Sequence, residues 1–155
     1  MSLHLLLTRA SLLLLLFISP VFAGGQSEKF GKDAILGVWI NEEKSVKVRI
    51  ERIGNKYHGK IIWLERPNWP DGTVKLDRYN PDASLRERPF IGMRTVMDLS
   101  YMGRDTWGGG KLYDPEEGKT YGCKISLDQY DVATIRGYIG LTLLGRSVYF
   151  YRVNA

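Results

Sequence analysis

The sequence predicts an all-β protein, an antiparallel up-and-down barrel of about eight strands with one long Pro-rich loop. Three observations carry this. Apolar and polar residues alternate with period two through most of the chain, as half-buried strands require. The connections are short, and no long amphipathic helical pattern interrupts them. A meander with one apolar face must also cover that face or close on itself, and closure leaves no open edge.

The first strand opens at Gly37-Val38-Trp39. Val46, Val48 and Ile50 then alternate with Lys47, Arg49 and Glu51, giving an apolar face and a solvated one. Ile53-Gly54-Asn55-Lys56 supplies a turn, because Gly and Asn tolerate positive φ. Tyr57, Gly59, Ile61 and Trp63 share one face of the return strand. Tyr113-Asp114-Pro115-Glu116-Glu117-Gly118 is a hairpin turn. Tyr121, Cys123, Ile125 and Leu127 alternate with Gly122, Lys124, Ser126 and Asp128. Thr134–Ile139 and Arg146–Val153 read as the last two strands, rich in β-branched and aromatic residues. Between them, Gly140 and Gly145 bracket Leu141–Leu144, a tight loop or one helical turn. Gly108-Gly109-Gly110 marks a bulge or sharp bend, or a place where another backbone or a ligand comes close; barrels need such corners, which favours the bend.

One segment departs from the alternation. Residues 65–89 contain Pro67, Pro70, Pro81 and Pro89, with turn signals at Asp71-Gly72 and Asn80-Pro81-Asp82. A stretch of this length without periodicity is a functional loop, a lid or a plain surface connection. Trp69, between Pro67 and Pro70, is either an exposed contact residue or a plug over one barrel end.

The front of the chain has a separate purpose. Residues 1–23 carry Arg9 and no acid, an apolar core over 10–18, and Val21-Phe22-Ala23 at the end. This is the pattern of a secretory signal, too short for a spanning helix. Residues 24–155 form a single domain, exported to the periplasm or secreted, with no stable membrane insertion after cleavage. Loss of the signal leaves 21 basic against 17 acidic residues, an excess of +4. That is too small for a nucleic-acid footprint.

Several chemistries are excluded. Cys123 is the sole cysteine, so there is no internal disulfide, and its place on an apolar strand face makes it a buried hydrophobe and not a reactive thiol. His58 is the one histidine beyond the signal, and it alternates outward with Lys60. A zinc site or a Ser-His-Asp triad finds no support. Gly118-Lys119-Thr120 lacks the earlier glycine of a phosphate loop, since Tyr113 stands there. Asp71, Asp77, Asn80 and Asp82 lack calcium-loop spacing and read as a solvated polar loop. No cofactor or metal is expected, and no acid–base pair, nucleophile relay or metal set stands out, which favours a non-catalytic role over an enzyme, the third reading.

In a closed meander the last strand pairs antiparallel with the first, which brings Arg152 to Trp39. A guanidinium over an indole is worth roughly 0.5–2 kcal/mol. Gly37, Trp39 and Arg152 therefore form a barrel-closure set, which resembles the Gly-x-Trp plus late-Arg arrangement of lipocalin-like barrels. The resemblance extends along the chain. Gly59-Lys60-Ile61-Ile62-Trp63-Leu64, Asp77 with Asn80-Pro81, Arg88-Pro89-Phe90-Ile91-Gly92, Trp107-Gly108-Gly109-Gly110-Lys111-Leu112-Tyr113-Asp114-Pro115, Gly118-Lys119-Thr120-Tyr121, Arg136-Gly137-Tyr138-Ile139-Gly140 and Gly145-Arg146-Ser147 follow in order. This set resembles the bacterial exported family DUF2147. The resemblance implies a lipocalin-like barrel. It brings no established activity and no catalytic set.

The candidate ligand-binding residues are Arg146, Arg136, Tyr113, Tyr138, Tyr149 and Trp63. Strand parity sends Arg146 inward with Arg152. An internal Arg requires a partner: an acid such as Asp98, Asp105 or Asp114, a carbonyl, or an anionic ligand. The partner expected is a small amphiphilic or lipid-like ligand in the barrel. The alternative is an envelope protein or glycan, contacted through the 65–89 loop, with a solid barrel.

Overall fold

The computed structural model describes residues 29–141, 143 and 145–153. The signal reading of residues 1–23 lies outside them, as do residues 142 and 144 of the last connection. Eight strands occur: β1 (Gly37–Asn41), β2 (Val46–Ile53), β3 (Lys56–Leu64), β4 (Arg94–Gly103), β5 (Thr106–Asp114), β6 (Lys119–Gln129), β7 (Val132–Tyr138) and β8 (Gly145–Arg152). Each pairs antiparallel with its sequence neighbour, and β8 returns to β1, closing the barrel. The seam is short, with Trp39 opposite Arg152, Ile40 opposite Tyr151 and Asn41 opposite Phe150.

The alternation is realised in the main core. Trp39, Val48, Ile50, Tyr57, Val96, Leu99, Trp107, Cys123, Ile125, Ile135 and Phe150 are buried together. Cys123 is fully enclosed, and burial pushes its thiol up to about 12, which holds it protonated and inert. The glycine run is a bulge: the β5–β6 register shifts between Trp107 and Gly110. It is also a close approach of chain to chain. A Cβ on Gly110 would stand 2.2 Å from the Met97 carbonyl oxygen of β4.

One end of the barrel is sealed. The segment before β1 turns across it and buries its own Ile35 in the core. The Trp39 indole N–H donates to the Ile35 carbonyl at 2.8 Å, and that of Trp107 to the Lys32 carbonyl at 3.1 Å. Arg152 holds the same segment. Its guanidinium donates to the carbonyls of Leu36, Ala34 and Tyr130, and lies 4.3 Å from the Trp39 ring centroid. Gly37 leaves room for it, since a Cβ there would come within 3.1 Å of Arg152 Nη1.

One face assignment and one expected exposure need correction. Alternation places Trp63 inside with Tyr57 and Ile61, yet Trp63 is exposed, with Lys47 Nζ 4.9 Å from its ring centroid. The β2–β3 register shifts between Lys47 and Val48, so Ile62 is an extra residue and every side chain beyond it changes face. His58 points outward, but its side chain is only 11% exposed. The β4 backbone takes φ 60° at Asp98 and covers it, the Asp98 N–H donating to His58 Nδ1 at 3.3 Å.

The long connection is a built structure. Isolated bridges join Asn68 to Val74 and Leu76 to Pro89, and a short 3-10 turn (Ala83–Leu85) is capped by Asp82. Trp69 packs edge-on against Phe90 with ring centroids 6.0 Å apart, and the Arg78 guanidinium lies 3.8 Å above it. Asp77, expected in a solvated loop, is instead fully buried. It accepts from Tyr113 Oη at 2.5 Å, Asn80 Nδ2 at 2.7 Å and Arg88 Nη2 at 2.8 Å. A buried carboxylate needs such donors, and these three lie on the loop and on β5.

Candidate functional site

At the other end the long connection covers part of the barrel, with Phe90 and Met93 buried against Ile61 and Tyr113, and the β5–β8 side is left open. The end of β5, the β5–β6 turn, the start of β6, the end of β7 and the start of β8 surround a cavity of 810 Å³. Leu112, Ile135 and Val148 form its wall, with Ile139 and Leu143 at the lip. Asp114, Glu117, Tyr121 and Arg146 bring polar groups to the same space. Gly137 keeps the wall open, since a Cβ there would meet Leu112 Cδ2 at 3.3 Å. The shape is that of a small-ligand site: an apolar wall with few polar groups at the rim.

Arg146 shares a strand face with Val148 and Phe150, but it sits at the rim and is exposed. Its expected acid partners are elsewhere or otherwise engaged. Asp105 is at the sealed end, accepting from the backbone N–H groups of Lys29, Phe30 and Gly31. Asp98 lies beside His58, and Asp114 accepts from the Glu116 N–H. Among the described residues Arg146 joins no ion pair. An exposed guanidinium is hydrated and needs no internal partner.

Glu117 accepts from Tyr121 Oη at 2.8 Å and lies 3.2 Å from Lys119 Nζ. Those contacts hold its carboxyl below the ordinary range, and the same bond raises the Tyr121 hydroxyl. The rim thus carries a carboxylate held by Tyr121 and Lys119 and, within reach of its charge, the Arg146 guanidinium.

The remaining candidates are scattered. The Tyr138 ring lies where a side chain on Gly122 would stand, and Tyr138 borders the cavity edge. Arg136 donates to Ser147 Oγ and the Leu143 carbonyl, securing the β7–β8 connection. Tyr149 and Trp63 are exposed away from the cavity. Tyr113 lies in a second apolar cluster with Ile61, Phe90 and Met93. Burial and the Asp77 bond push its hydroxyl up to about 12. Sequence reasoning missed Leu112, Ile135, Val148 and Glu117, because a strand pattern does not show which inward residues sit near the open end. A second cavity of 510 Å³ lies at the same end, between Phe90, Lys75 and the β1–β2 turn, and Asp114 borders both. Among the described residues no group of acids, His and Cys is arranged to hold a metal ion.

This architecture defines a class: a lipocalin-like antiparallel barrel, closed at one end by the segment before β1 and its Arg152–Trp39 contact and open on the β5–β8 side of the other. The chain belongs to DUF2147, a family described as uncharacterized protein conserved in bacteria, which matches residues 37–152. A solved structure with the same fold is HP1028 from Helicobacter pylori, described as belonging to the lipocalin family. The identity is 23%, covering 77% of this chain and 82% of that one with a TM-score of 0.67. No curated protein matches the chain.

Proposed function

We propose that the protein is an exported, non-catalytic binder of a small amphiphilic or lipid-like molecule, held in the open end of the barrel. The observation that carries this is the 810 Å³ cavity, with Leu112, Ile135 and Val148 behind and Arg146 at its rim. An acyl or aryl portion would displace water from the wall, while a polar head stays at the rim beside Arg146 and Glu117. Export is supported by the charge and hydropathy pattern of residues 1–23.

A fluorescent probe that brightens on leaving water, N-phenylnaphthylamine, tests the reading. The expected result is saturable binding, competed by a medium-chain fatty acid and lost in Val148→Trp, which fills the cavity from a partly exposed position. Absence of saturable binding, or an unaffected Val148→Trp, would overturn it.

The second reading is an interaction module whose partner is an envelope protein or glycan. It is supported by the exposed Val74, Tyr79 and Ile91 on or beside the long loop. A crosslinking comparison of wild type with Tyr79→Ala in intact cells tests it. A partner band that survives the substitution unchanged counts against this surface.

A further inference from the structure

Three apolar side chains project from the β7–β8 connection, beside the open end. Ile139, Leu141 and Leu143 are 70%, 69% and 84% exposed. The main core is filled by other residues, so these three are left over from folding. Contiguous exposed apolar side chains on a small soluble domain mark a contact with something apolar. Ile139 and Leu143 also line the cavity, so one apolar surface runs from the tip into the barrel.

Charge identifies the occupant. The tip is flanked by cations: Arg146 follows it, and Arg136 lies at its base, bonded to the Leu143 carbonyl. Lys124 stands opposite Arg136 on β6 and, with Leu143, borders the groove at the foot of the tip. Two carboxylates border the cavity: that of Glu117 is engaged by Tyr121 and Lys119, and that of Asp114 accepts from the Glu116 N–H. Exposed apolar side chains framed by basic ones match the boundary of an anionic bilayer, where apolar groups enter the acyl region and cations meet headgroup phosphates. A second copy of this chain would set Arg136, Arg146 and Lys124 against their own likeness if the tips met about a two-fold axis, which disfavours that occupant.

We infer that the β7–β8 tip docks the barrel on an anionic lipid surface, with Ile139, Leu141 and Leu143 immersed and Arg136 and Arg146 at the headgroups. The mouth then faces the bilayer, the source or destination of an amphiphile. The docking does not require the cavity to hold a ligand.

The test uses protein recovered from cells expressing the full sequence, and vesicles of phosphatidylethanolamine with phosphatidylglycerol or of phosphatidylcholine alone. Sedimentation with the anionic vesicles is expected, weakened by roughly tenfold or more in Leu141→Asp/Leu143→Asp and lowered by salt. Both side chains are exposed, so the variant keeps its fold. Leu143→Trp gives a direct reading: quenching by brominated acyl chains is expected. Equal sedimentation of wild type and the Asp variant, or no quenching of Trp at position 143, would overturn the inference. So would a dimer in solution that the Asp variant abolishes, in the absence of vesicle binding. Val148→Trp separates the two proposals, since it is expected to lose the probe and keep the vesicles.

Discussion

The Tyr113 hydroxyl donates to the Asp77 carboxylate at 2.5 Å, joining β5 to the long loop across 36 residues of sequence. Asp77 is fully buried, and this bond is one of the contacts that make its position tenable. Tyr113→Phe keeps the ring in its apolar cluster and removes one donor. The expected cost is about 1–3 kcal/mol, the range for a buried polar group that loses a partner. Urea melts of the two proteins measure it.

The same bond sets an alkaline signature. Burial and Asp77 raise the folded-state Tyr113 hydroxyl from its ordinary 10.0 to about 12. The neutral form is therefore favoured by folding. Its contribution is complete below pH 10.0 and is lost as pH rises toward about 12. The stability difference between wild type and Tyr113→Phe is expected to shrink across that window. A difference that stays constant there would show that the hydroxyl titrates normally.

At the sealed end, Trp39→Ala is expected to cost about 3–5 kcal/mol, a large share of the stability of a small domain. Arg152→Lys keeps the charge but loses the planar face and the fan of carbonyl contacts, so it is destabilising to a smaller degree. The double mutant is expected to show coupling of roughly 0.5–3 kcal/mol. Additive losses in denaturant melts would mean that the stacked contact contributes nothing of its own.

Asp105 offers the acid counterpart. Burial opposes its charge, but three backbone N–H bonds from Lys29, Phe30 and Gly31 prevail and hold the carboxyl below its ordinary 3.8. The ionised form is favoured by folding, so its contribution is present above that value and lost as pH falls below it. Asp105→Asn, which points an amide N–H at donors, is expected to lower stability near neutrality by about 1–3 kcal/mol. The gap from wild type narrows once the pH is well into the acid range.

Gly118 explains how the loop sits on the β5–β6 turn. It has φ +67°, and a Cβ there would lie 1.9 Å from the Tyr79 carbonyl oxygen. Gly118→Ala is expected to cost at least about 1–2 kcal/mol from the left-handed backbone alone. It also forces Tyr79 away, which proteolysis within residues 65–93 would report as faster cleavage.

The barrel was legible because its cause is local. Alternation at Val46–Ile50 and at Tyr121–Leu127 shows on the page, and a meander with no open edge implies that its first and last strands meet. What escaped depends on distant partners. Nothing near Asp77 in the chain announces that Tyr113 will bury it. Ile62 has no sign of being the extra residue that turns Trp63 outward, since the shift arises from pairing with β2. Parity gives the face on which Arg146 lies, but its height above the mouth depends on the register of all the strands. Asp105 gains its role from the segment preceding β1, more than seventy residues away.

The seam between β1 and β8 has a consequence for how the molecule comes together. Every other ladder joins neighbours in sequence, and all of these but β3–β4 can zip from a short connection, whereas Arg152 meets Leu36 and Ala34 across 116 and 118 residues. Bringing such remote segments together costs loop-closure entropy before any contact rewards it, so the open meander precedes the closed one. The Trp39–Arg152 stack then belongs to the late side of the folding barrier. Arg152→Lys should leave the refolding rate almost unchanged and hasten unfolding, making this one pair the lock on the lifetime of the closed barrel.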